Sequence, residues 1–151
     1  MSDNRALYIE ETIIKAVKRL LSEQVNEILK EADFSIPIIE FGSCGCGYAV
    51  APVIALSTCE RTEKERIIRL DAYSLTITFS LPEIPEGELH CYAYSGAFGR
   101  ALYDDPTLGC AVDRAVIAGK KYVQPKKPHC GEGWELILTL RLTVEGMGNA
   151  G

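Results

Sequence analysis

The 151 residues make one domain, and a chain of this size buries roughly 70% of its unfolded surface, so it needs neither disulfides nor metal to fold. Hydrophobic residues at 47% and charged residues at 25% are a globular balance, and a net charge of −5 argues against a dedicated nucleic-acid binder. No apolar run approaches the roughly 20 residues that cross a bilayer, and acidic residues interrupt the apolar stretch of MSDNRALYIEETIIK, which excludes a secretory signal and points to the cytoplasm with reduced thiols.

Ala6 to Glu31 reads as a helix, with Ile9, Ile13, Val17, Leu20 and Leu21 recurring at three- and four-residue steps and a break expected near Ser22. Ser35 to Phe41 is a short strand that Pro37 confines to an edge. FGSCGCGYAVAP follows, and residues 42–52 read as a mobile link. Val53 to Cys59 resumes a strand, and 60–65 is a charged hairpin tip. From Tyr73, the strand Arg66–Leu81 alternates cleanly with Leu75, Ile77, Phe79 and Leu81 on one face. Before it the phase is inverted, with Ile68, Leu70 and Ala72 apolar. The inversion calls for a bulge or a change in which face is covered, one half burying under the subunit's own helices and the other against another copy.

Glu88 to Tyr103 reads as a second helix. Ala93, Gly96, Ala97, Gly99 and Ala101 allow close approach to a sheet, with Leu89, Tyr92, Phe98 and Leu102 supplying bulk. Asp104-Asp105-Pro106 stops it, because a proline disfavours helix in the residue before it. Ala111 to Tyr122 is a strand, 124–133 is a long hairpin tip, and a last strand carries Trp134, Leu136, Leu138, Leu140, Leu142 and Val144 on one face. Residues 146–151 form a frayed tail. The order implies a single α+β domain over 1–151: an antiparallel or mixed sheet of four to five strands with two helices on one face.

No chemical motif is complete. Cys44 and Cys46 are spaced C-x-C and would need the His129-Cys130 tip to make a metal site, whereas zinc sites pair ligands at C-x₂₋₄-C spacing. Cys59, His90-Cys91 and Cys110 are scattered. The Gly-rich loop lacks the Lys-Ser/Thr ending of a phosphate cradle. Ser95 in AYSGA has alanines where a nucleophile elbow has glycines. Asp104, Asp105 and Asp113 are carboxylates that a fold could pair in space, though Asp104 and Asp105 read more simply as a helix-ending turn. Lys120, Lys121, Lys126 and Lys127, framed by Pro125 and Pro128, form a basic tip that reads as a solvated hairpin. No catalytic, cofactor-binding or metal residue is assigned. A small metal or redox protein using Cys44, Cys46 and Cys130, and a module binding a ligand between Trp134 and the small-residue helix, remain the alternatives.

The segment DDPTLGCAVDRAVIAGKKYVQPKKPHCGEGWELILTLRLTVEGM resembles the tail-completion (tail terminator) proteins of long-tailed bacteriophages and prophages, in which a helix ends in an xDPTLGGxV-like run and a W-x-hydrophobic-T-hydrophobic-R-hydrophobic-T-V-E strand closes the sheet. The N-terminal half is similar in its opening helix, P-x-I-E-F strand and long-looped hairpin. Where LGG has its second glycine this chain has Cys110, a strained position if the turn needs a positive φ. The resemblance implies a homo-oligomeric ring, commonly a hexamer, that caps the tail tube and docks the head connector, with no catalysis and no cofactor. It places the protein in the bacterial host cytoplasm during assembly and then in the tail or neck of the virion. A head–tail connector or neck adaptor is the neighbouring reading. Ring closure needs two unlike patches. One is expected on Arg66–Ala72, the other on loops.

Overall fold

The structure is a computed structural model that describes residues 9–42, 49–64, 68–126 and 132–147, without the side chains of 63, 64, 68, 69, 146 and 147. Two helical rods lie on one face of a four-stranded antiparallel sheet, and a two-stranded parallel ribbon sits beside them. The first rod is α1 (Ile9–Arg19), a π-helical stretch (Leu20–Val25) and α2 (Asn26–Glu31), joined through residues in right-handed helical conformation. The break expected near Ser22 is this π stretch: the rod widens by a residue and continues. Ile13, Val17, Leu20, Leu21, Val25 and Leu29 keep its buried stripe intact across the change.

The ribbon pairs β1 (Ile38–Ile39) with β2 (Ala49–Val50) in parallel. Only two residues of the expected strand 35–41 form a ladder. Part of the expected link 42–52 is itself the second strand of that ribbon, while 43–48 lie outside the described residues. The main sheet has the order β3-β4-β6-β5, with β3 at Val53–Lys64, β4 at Ile68–Ser80, β5 at Arg114–Val123 and β6 at Glu135–Met147. Glu60–Lys64, expected as a hairpin tip, belongs to β3: antiparallel pairing carries Glu60 to Lys64 along Ala72 to Ile68. The tail expected from 146 likewise starts later, since β6 pairs through Met147 opposite Ile68.

The inverted phase in β4 involves no bulge. Its register with β6 is unbroken from Ile68 to Ser80, so Asp71 lies on the same helix-facing side as Tyr73, Leu75, Ile77 and Phe79, all buried. The buried carboxylate is met by Arg61 of β3, directly opposite in register, whose Nε donates at 2.8 Å. Leu70 and Ala72 therefore lie half-buried on the face that carries no helix. The two bulges sit instead in the edge strands, at Leu56/Thr58 of β3 and Ile117/Gly119 of β5.

The second rod, α3 (Gly87–Asp104), crosses from β4 to β5 and packs on β5, β6 and the first rod. Cys91, Tyr94, Ala97, Phe98 and Ala101 form its buried side, with Tyr94 stacked on Phe79 at 5.0 Å between centroids. The Tyr94 hydroxyl donates to the Pro37 carbonyl at 2.5 Å, tying α3 to the segment before β1. Of the bulky residues read on this helix, Phe98 and Leu102 are buried, whereas Leu89 and Tyr92 lie on the outer side, 57% and 47% exposed. Among the described residues, no helix is long and apolar enough to cross a membrane.

Candidate functional site

The candidate chemistry does not converge on one place. Cys59 is exposed on β3, Cys91 is buried in α3 and Cys110 is exposed on the turn after it. Burial, with Glu88 adding its charge, pushes the Cys91 thiol up to about 11, so it stays protonated at neutral pH. Among the described residues no three His, Cys, Asp or Glu side chains are placed to hold a metal. Cys44, Cys46, His129, Cys130, Lys127 and Pro128 lie outside the described residues. His90 is half-buried, with its Nδ1 sequestered and without a hydrogen-bond partner among the described residues. Ser95 is buried and accepts the Tyr122 hydroxyl at 3.1 Å. For the alternative of a ligand held between Trp134 and α3, the start of the helix packs closely on the indole: a Cβ at Gly87 would lie 2.9 Å from its Cδ1. Lys120, Lys121 and Lys126 are exposed in and just after β5.

The aspartates hold main chain in place. Asp105 Oδ1 accepts the Gly109 N–H at 2.9 Å, and Asp113 Oδ2 accepts the Glu145 N–H at 2.5 Å, clamping the turn after α3 to β6. Within that turn Leu108, Gly109 and Cys110 have φ of 52°, 65° and 70°. Three successive left-handed residues are costly for side chains bearing a Cβ, and the turn is pinned to them. Ala111 and Val112 donate to Leu108 and Thr107 carbonyls, Thr107 Oγ1 accepts the Cys110 N–H at 3.2 Å, and Leu108 is driven into the core at 1% exposure. Gly109 suits the turn because its φ of 65° strains any residue with a Cβ, and a Cβ there would also push the end of the Arg19 side chain aside.

A second built feature is Asn26, which the sequence did not single out. Its carboxamide acts as a strand backbone: Nδ2 donates to the Ile39 carbonyl and Oδ1 accepts the Ile39 N–H, both at 2.8 Å, while Nδ2 also reaches the Ser22 carbonyl at 2.8 Å. This closes the free side of β1 and gives the π stretch a local purpose. An open groove of about 520 Å³ runs beside it, lined by Glu23, Glu27, Lys30, Phe34, Pro37 and Ile38 among others.

What remains is bare surface. The face of the sheet away from the helices presents Ser74, Thr76 and Thr78 of β4 beside Arg141, Thr139 and Ile137 of β6, with Leu70 and Ala72 toward one end. The outer side of α3 presents Leu89, Tyr92 and Tyr103. No protein-family model matches this chain, and no curated protein matches it. The functional reading therefore rests on the residues and their geometry.

Proposed function

We propose that this protein is a structural subunit of a long-tailed phage or prophage, a tail-completion protein whose copies form a ring that caps the tail tube and offers the head connector its docking surface. The turn at Leu108–Cys110 carries the reading. The family pattern has glycine at the second position of LGG, and here that position stands at φ 70°, a conformation that glycine adopts without strain. The DPTLGC segment thus has a backbone that a glycine at position 110 would suit, clamped by Asp105 on one side and by Asp113 to the closing strand on the other.

The ring needs two unlike patches on each copy. Leu70 and Ala72 supply apolar surface on the uncovered sheet face, and they follow from the register that buries Asp71. The function is one of shape and adhesion, with subunit contacts in place of a reaction. Deleting the gene from its phage and imaging the tails tests the reading. Tails longer than normal support tail completion. Tails of normal length that fail to join heads move the protein to a connector or neck adaptor.

A further inference from the structure

We draw no further inference here: the strongest candidate, the open groove between the first rod and β1, walled by Phe34, Pro37 and Ile38, carries nothing because nothing in the structure shows what covers it.

Discussion

Replacing Asn26 with alanine removes three hydrogen bonds at once, two of them to Ile39 and one to Ser22, each 2.8 Å long. Ile39 is 1% exposed, so water can reach its stranded N–H and carbonyl only after β1 shifts. A neutral hydrogen bond contributes about 1 kcal/mol net, and a buried group left without a partner costs about 1–3 kcal/mol. The half-exposed Ser22 carbonyl can turn to water, so the expected loss is about 2–3 kcal/mol. At 2–4 °C per kcal/mol for a chain of this size, the midpoint of thermal unfolding should fall by about 4–12 °C. Hydrogen exchange should show the Ile39 amide losing protection selectively. Asn26→Asp makes a sharper probe. It keeps an acceptor for the Ile39 N–H but turns a second oxygen on two carbonyl oxygens. The introduced carboxyl should bind its proton more tightly folded than unfolded, so this variant should gain stability relative to wild type as pH falls through the carboxylate range. A loss below about 0.5 kcal/mol for Asn26→Ala, or an Asn26→Asp variant as stable as wild type at pH 7, would refute the argument that the carboxamide substitutes for a neighbouring strand.

The strained turn gives a prediction of opposite sign. Left-handed geometry costs a residue with a Cβ roughly 1–2 kcal/mol, and the extra unfolded freedom of glycine returns about 0.4–1 kcal/mol of that, so Cys110→Gly should raise stability by about 0.5–1 kcal/mol in a urea melt. Gly109→Ala should lower it, because the new methyl meets the positive φ, while the Arg19 side-chain end can swing away. Brief alkylation of the native protein at pH 7.5 followed by peptide mapping should label Cys59 and spare Cys91, whose thiol is buried and held at about 11. Burial raises the phenol of Tyr94, and burial with the Glu10 hydrogen bond raises that of Tyr73. The unfolded chain therefore releases protons first above about pH 10. The folded state then binds more protons than the unfolded one, and stability should fall as pH rises past that point. Leu70→Glu places a charge on the uncovered sheet face and should disrupt ring formation while leaving the far-ultraviolet circular dichroism unchanged.

The α+β architecture was legible because its signals are periodic. The stripe of Ile13, Val17 and Leu20 and the alternation of Leu136 to Leu142 each state which side is buried, and the core follows them. The inversion at Ala72 was legible as an anomaly but not as a mechanism, because period-two reasoning counts Asp71 as polar and therefore outward. Arg61, ten residues away, reverses that by pairing with it across the strands. Asn26 left no signal, since a mid-helix asparagine looks like any polar surface residue until the π stretch turns it toward Ile39. The sidedness of α3 was only partly legible. Small residues at 93, 96, 97, 99 and 101 pointed to close approach to a sheet, but Gly96 faces out, and the helical period sets Leu89, Tyr92, Gly96 and Tyr103 opposite Cys91, Tyr94, Phe98 and Ala101.

Ring formation on a tail tube is the claim that the rest of the functional account depends on. Purified tubes that lack a cap, incubated with the full-length chain and imaged by electron microscopy, test it most directly. The account predicts a closed ring seated on one end of each tube. Tube ends left bare, with the chain remaining monomeric at high concentration, would contradict it.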